Sequence, residues 1–192
     1  MKNLILFFSM IVATSSVFSE ERDKGLFVSY ELLEMSENNF QYFAGDIGYR
    51  FDRRNQVRFI IMEVKLTEEH LSSEWAKIVD GNNVEGYMRG YEVTYDRFFT
   101  KNWYYMANIS YISLEFEHTK VNDRYKNETV ALGTGIGYRY DNFLGVNGLF
   151  INPSIPLRVF LNPVEETKLG DSTVNEAVLA PSIWMFVGYQ FN

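Results

Sequence analysis

The chain has 192 residues, with 18 Lys and Arg against 25 Asp and Glu, and its formal charge of −7 argues against nucleic acid as a partner and against a broad cationic surface for acidic lipid headgroups. It has no cysteine, which removes disulfide frameworks and thiolate metal sites together. Aromatic residues make up 17%, Gly is frequent and Pro scarce, and no stretch reaches the roughly 18 consecutive apolar residues of a membrane helix, so the composition points to an all-β protein.

Residues 1–19 read as an export signal: Lys2 supplies the positive start, Leu4 to Ala13 an apolar run too short to span a bilayer, and Val17-Phe18-Ser19 a cleavage pattern. The mature chain is expected from Glu20 as one domain over residues 20–192. Alternation and turn residues then predict eight strands in order: Gly25–Met35, Phe40–Phe51, Gln56–Leu66, Val84–Tyr95, Trp103–Glu117, Glu128–Tyr140, Gly145–Phe160 and Asn175–Phe191. The links alternate in length. Short turns such as Asp52-Arg53-Arg54-Asn55 and Asp141-Asn142-Phe143 lie at one end, and longer polar loops, Thr67–Asn83, His118–Asn127 and Asn162–Val174, at the other; Ser36–Asn39 is a short link at the long-loop end.

A quartet recurs before the short turns. Gly48-Tyr49-Arg50-Phe51, Gly137-Tyr138-Arg139-Tyr140 and Gly188-Tyr189-Gln190-Phe191 share it, and Glu92-Val93-Thr94-Tyr95 is a degenerate copy; the closing aromatics stand 44, 45 and 51 residues apart, the length of one strand pair with its connections. Strand Val130–Tyr140 sets Val130, Leu132, Ile136, Tyr138 and Tyr140 on one face and Gly133, Gly135, Gly137 and Arg139 on the other. Glycines with an arginine suit a narrow lumen, so the greasy face is read as outward and Tyr49, Phe51, Tyr95, Tyr138, Tyr140, Tyr189 and Phe191 as interfacial aromatics at the headgroup level. In the fifth strand Ile112, Leu114 and Phe116 fall out of phase with Trp103, Tyr105, Ile109 and Tyr111, which predicts a bulge near Ser113. The reading is an eight-stranded antiparallel up-and-down transmembrane β-barrel with its short turns toward the periplasm and its loops outside.

This pattern resembles the superfamily of small eight-stranded bacterial outer-membrane barrels related in architecture to surface adhesion and serum-resistance proteins, and the likeness covers the whole mature chain. Its sharpest element is Val187-Gly188-Tyr189-Gln190-Phe191, similar to the C-terminal signal read by the barrel assembly machinery, with Asn192 as a departure. The resemblance implies a bacterial outer-membrane location and lipid, including lipopolysaccharide, as surroundings. It transfers architecture and not activity.

For chemistry, Asp46, Arg50, Glu92, Asp96 and Arg139 are expected in the lumen as a charge network, since eight strands enclose a bore that side chains fill. The histidines, His70 and His118, lie at the starts of outer loops and do not have metal-ligand spacing, so no metal or cofactor is assigned. His70-Leu71-Ser72 with Glu85, 13 residues past Ser72, resembles the His-x-Ser pattern of outer-membrane lipid A deacylases, although Ser73 stands where those have asparagine. An acyltransferase pattern finds only Asp171-Ser172. Leu71, Trp75, Ile78 and Val79 recur at helical spacing, which predicts a short amphipathic helix or core packing inside that loop. The main reading is a structural or surface-interaction protein contacting host or envelope molecules through its loops. The alternatives are the lipid A-modifying enzyme and a soluble barrel binding an apolar ligand.

Overall fold

The computed structural model describes residues 24–33, 42–72, 78–175 and 179–191. In chain order these form β1 (Gly25–Glu31), β2 (Tyr42–Asp52), β3 (Asn55–Leu66), a short helix α1 (Glu68–Ser72), β4 (Val79–Asp80), β5 (Val84–Phe98), β6 (Trp103–His118), β7 (Asp123–Tyr138), β8 (Tyr140–Asp141), a 3-10 turn at Phe143–Gly145, β9 (Leu149–Phe160), β10 (Thr167–Leu169), β11 (Ser172–Val174), β12 (Leu179–Pro181) and β13 (Trp184–Gln190). Consecutive long strands pair antiparallel, β9 pairs with both β7 and β13, and β13 closes on β1. The eight strands β1, β2, β3, β5, β6, β7, β9 and β13 therefore form a closed up-and-down ring. The proposed signal segment, the link 36–39 and Asn192 lie outside the described residues.

Burial alternates along the ring with the period of two that a pleated strand imposes. Along β6 the odd residues Trp103, Tyr105, Ile109 and Tyr111 are exposed, while Tyr104, Met106, Asn108, Ser110, Ile112, Leu114, Phe116 and His118 are buried inside. The register of β6 is unbroken up to His118 against both neighbours, from Tyr104 against β5 and from Trp103 against β7, so there is no bulge at Ser113. The apparent loss of phase has another cause: beyond Ser110 the lumen changes from polar to apolar, and the outward face changes from apolar to polar, while the alternation itself continues.

Other boundaries shift for local reasons. The predicted loop His118–Asn127 is a turn over 119–122, because residues from Asp123 onward pair with His118 back to Leu114 and their outward charges join cross-strand and same-strand pairs, Arg124 to Glu117 at 2.9 Å and Lys126 to Glu128 at 2.6 Å. The strand predicted from Gly145 begins at Leu149; Asn142, in the left-handed region at φ 56, instead holds a longer turn by accepting Gly148 N–H through its Oδ1 at 3.3 Å. The predicted last strand is split at Ser182 and Ile183 into β12 and β13, opposite Pro156 of β9, which has no N–H to give to the ladder and instead accepts Ser182 N–H at 3.0 Å. Of the residues at the predicted helical spacing, Leu71 lies in α1, Val79 lies in β4, paired with Val174 of β11, and Trp75 lies outside the described residues.

The interior is filled in two halves. Toward the long loops it is an apolar core of Tyr42, Met62, Leu66, Ile112, Phe116, Phe160, Trp184 and Phe186. The loops contribute to the same core: Leu71 of α1, Val79 of β4, Val164, Leu169 of β10 and Val174 of β11 are all buried in it. With the small sheet β10-β11-β4 they form a cap over the barrel. Toward the short turns the interior is polar and charged. There the glycines make room: a Cβ on Gly137 would lie 2.2 Å from the Tyr104 ring, and one on Gly48 2.2 Å from the Phe27 ring.

Candidate functional site

The outer wall decides what surrounds the molecule. Tyr49, Phe51, Tyr95, Phe99, Trp103, Tyr105, Tyr140 and Phe191 are exposed near the short-turn end, Phe43, Tyr91 and Tyr111 are exposed further up, and Ile47, Val93, Ile109 and Leu132 lie between. Trp103 to Tyr111 spans eight residues, about 26 Å along the strand at about 3.3 Å each, and a tilt of about 40° reduces this to about 20 Å, near the apolar band of about 25 Å that a bilayer demands. Above Tyr111 the outward residues become charged and paired, with Lys65 on Glu85 at 3.1 Å and Arg89 on Glu63 at 2.9 Å. Tyr138 is half-buried with its ring 5.0 Å from Trp103. Tyr189 differs from the sequence expectation: it keeps the outward register but is 3% exposed, edge-on to the Phe191 ring at 5.2 Å.

Inside, a single hydrogen-bonded chain runs up from the short turns. Arg50 bridges to Asp141 at 3.0 Å; Arg139 Nε donates to the other Asp141 oxygen at 2.7 Å. Arg139 also donates to Gln190 at 2.6 Å and to Gln56 at 3.2 Å, and Gln56 donates to Asp96 at 2.7 Å. Asp96 accepts Arg58 Nε at 2.8 Å and Nη2 at 3.3 Å, while Arg58 Nη1 reaches Asp46 at 3.4 Å, which also accepts the Ser29 hydroxyl. Aromatic faces cover the cations: the Arg139 guanidinium lies 3.7 Å from the Phe150 ring centre and Arg50 4.7 Å from Phe98. Asp46, Arg50, Asp96 and Arg139 are thus joined. Glu92 is apart, one layer higher, where it accepts Arg158 Nε at 2.9 Å, Ser110 Oγ at 2.7 Å and Thr94 Oγ1 at 2.8 Å. The Arg158 guanidinium in turn lies 4.2 Å from the Trp184 ring, at the border of the apolar half.

Arg58 and Arg158, the cations at the centre of both clusters, escaped the sequence reading. The signal was present in each: Arg58 stands between outward Val57 and Phe59, and Arg158 between outward Leu157 and Val159, just as Arg139 stands between Tyr138 and Tyr140. Asp141 and Gln190 close the network at its lower end and were also missed, because nothing local marks a residue one step past a strand as a partner across the bore.

Two residues of the deacylase pattern, Ser72 and Glu85, are engaged elsewhere. Ser72 ends α1, where its hydroxyl donates to the Glu68 carbonyl at 2.8 Å, and Glu85 lies on the outer face of β5 in the ion pair with Lys65. His70 is in α1; its side chain is outside the description. Asp171 meets the other histidine: His118, 2% exposed, donates from Nε2 to Asp171 Oδ1 at 2.7 Å, and its Nδ1 accepts Lys120 N–H at 3.3 Å. With both ring nitrogens engaged, His118 ties the turn 119–122 to the cap. Ser172 donates to the Asn82 carbonyl at 2.8 Å rather than to the imidazole. His118 holds the Asp171 carboxyl below the ordinary aspartate range, chiefly through that hydrogen bond. Among the described residues no three His, Asp or Glu side chains converge as a metal site.

A closed eight-stranded ring with an apolar, aromatic-bordered outer wall and a charged, side-chain-filled bore defines a transmembrane β-barrel. The soluble alternative needed the reverse arrangement, a polar wall around an apolar cavity. Among solved structures, a major outer membrane protein from Thermus thermophilus is similar in fold at a TM-score of 0.52 and 11% identity, covering 89% of this chain and 100% of that one. The N-terminal β-barrel domain of Pseudomonas aeruginosa OprF and Ail, the attachment invasion locus protein of Yersinia pestis, each align at a TM-score of 0.42 and 12% identity over 90% of this chain and 100% of theirs. No protein-family model matches the chain, and no curated protein matches it in sequence.

Proposed function

We propose that this chain is exported through residues 1–19 and matures into a bacterial outer-membrane barrel, residues 20–192, whose role is structural or surface interaction through its capped, long-loop end. The observation that carries this reading is the filled lumen. A bore closed by buried ion pairs in its lower half and by an apolar core continuous with the loops in its upper half leaves the outer surface as the place for contact. The cap is itself ordered by hydrogen bonds and buried side chains, as a presented surface requires. The partners fitting this geometry are lipopolysaccharide around the outer wall, a host or envelope protein at the cap, and the barrel assembly machinery at the C-terminal strand.

Fractionation of natively expressed cells, with heated and unheated gel samples compared, tests the reading. The protein is expected in the outer-membrane fraction, with unheated material migrating differently from heated. Recovery as a soluble periplasmic protein would overturn it.

A further inference from the structure

We propose that the turn between β8 and β9, led by Leu144, inserts into the lipid leaflet at the short-turn end and anchors the barrel at that interface. Among the described residues the turns of this end differ in kind. Arg53-Arg54 between β2 and β3 carries two charges and Phe99-Thr100-Lys101-Asn102 between β5 and β6 carries one, whereas Asn142-Phe143-Leu144-Gly145-Val146-Asn147-Gly148 carries none and holds three apolar side chains. Leu144 is 79% exposed, more than any other large apolar side chain among the described residues. Its backbone is strained as well: φ 55 and ψ 22 lie in the left-handed region, where the Cβ of an L-residue crowds the following carbonyl and glycine is the usual occupant. The turn holds it there by its own hydrogen bonds, Gly145 N–H to the Asn142 carbonyl at 2.9 Å and Val146 N–H to the Phe143 carbonyl at 3.1 Å. The leucine is therefore presented by a bonded turn.

One exposed leucine says little by itself. What selects lipid as its partner is the continuity of the turn with the lipid-facing wall. Phe143, the neighbour of Leu144, packs edge-on against Tyr140 at 6.4 Å between ring centres, and Tyr140 is a half-exposed ring of the lower girdle. The polar residues of the same hairpin tip, Asp141 and Asn142, line the open mouth of the bore instead, a cleft of about 820 Å3. The tip thus has an apolar part joined to the girdle and a polar part at the mouth. An interfacial segment has this division, with its apolar side chains at the acyl boundary and its polar groups among the headgroups. Having no charge in the turn also removes the desolvation penalty that holds charged turns in water.

The chain has no cysteine, so Leu144→Cys gives a single site for an environment-sensitive fluorophore. The full chain is folded in phosphatidylcholine nanodiscs, which leave both ends open to solvent. Ile109→Cys, in the middle of the apolar band, and Arg54→Cys, on a charged turn of the same end, serve as references. The label at Leu144 is expected to emit to the blue of the label at Arg54. It should be quenched more by a nitroxide near the top of the acyl chains than by one deep among them, the reverse of Ile109. Without any label, the Leu144 methyl groups of the unsubstituted protein should show cross-relaxation from lipid acyl protons, at signals assigned by their loss in Leu144→Ala. Iodide quenching at Leu144 equal to that at Arg54, or methyl contact with water alone, would overturn the insertion and leave the leucine on the aqueous side, where a protein would be its partner. The inference rests on the reading of the chain as a membrane barrel; unheated samples that migrate like heated ones would fail that reading, a separate outcome.

Discussion

Asp96 is fully buried and accepts three hydrogen bonds, two from Arg58 and one from Gln56. Two opposite charges in a bore give no guarantee of stability, since desolvation offsets much of their attraction, but removing one partner strands the other. In Asp96→Ala, Arg58 would keep only the longer contact to Asp46 and Gln56 would lose its acceptor. A loss of about 3–5 kcal/mol is expected, read as a lower urea midpoint for the barrel folded in vesicles. Asp171 makes the opposite case, an exposed carboxylate whose one strong contact is a buried imidazole. Its folded value lies below the unfolded aspartate value of about 3.9, so any stability it contributes is complete above that value and is lost as pH falls through the depressed one. Its carboxyl carbon resonance should therefore titrate below the ordinary aspartate range and move back up in His118→Ala. An unchanged midpoint in that variant would show the clamp to be absent in solution.

At the scale of single elements, β6 shows what sequence could and could not reveal. Its lower stretch, Trp103 to Tyr111, was legible because lipid outside and a polar lumen inside give neighbouring residues opposite chemistry. Its upper stretch was not. There the inside is the apolar core under the cap and the outside is water, so the greasy face swaps sides and imitates a slipped register. The lumen charges were legible one at a time, each between two outward apolar neighbours, but the pairings were not: Arg58 with Asp96 and Arg139 with Gln190 join residues 38 and 51 apart, a matter of how strands meet around the ring. The cap was least legible: Leu71 and Val79 carried a helical spacing that pointed to packing within their own loop, while Val164, Leu169 and Val174 are isolated apolar residues in a polar loop with no period to join them to it. The level at which β6 leaves the membrane can be measured directly. Ile109→Arg, in the middle of the band, should cost about 2–4 kcal/mol of folding stability in vesicles, and Ser113→Arg, on the same face two pairs further up, about 0–1 kcal/mol. Equal costs at the two sites would remove the boundary drawn at Tyr111.

For the whole molecule, the two fillings of the bore lie in series, and that order determines what the barrel passes. An ion entering from the short-turn cleft meets first the Arg50, Arg139 and Asp141 cluster, then Arg58 between Asp46 and Asp96, then Arg158 on Glu92. Beyond these lies a layer of Phe186, Ile112 and Phe116, whose side chains offer no polar group to replace a hydration shell, and above it the cap. Purified protein in a planar bilayer should accordingly show no steady conductance. Because the apolar layer is built from the strands themselves, replacing the cap segment 162–175 with a short Gly-Ser turn should raise protease sensitivity at the long-loop end and still leave the membrane sealed. Steady, ohmic opening in the intact protein would mean that the buried pairs part readily, and the barrel would then be a narrow channel whose loops gate it.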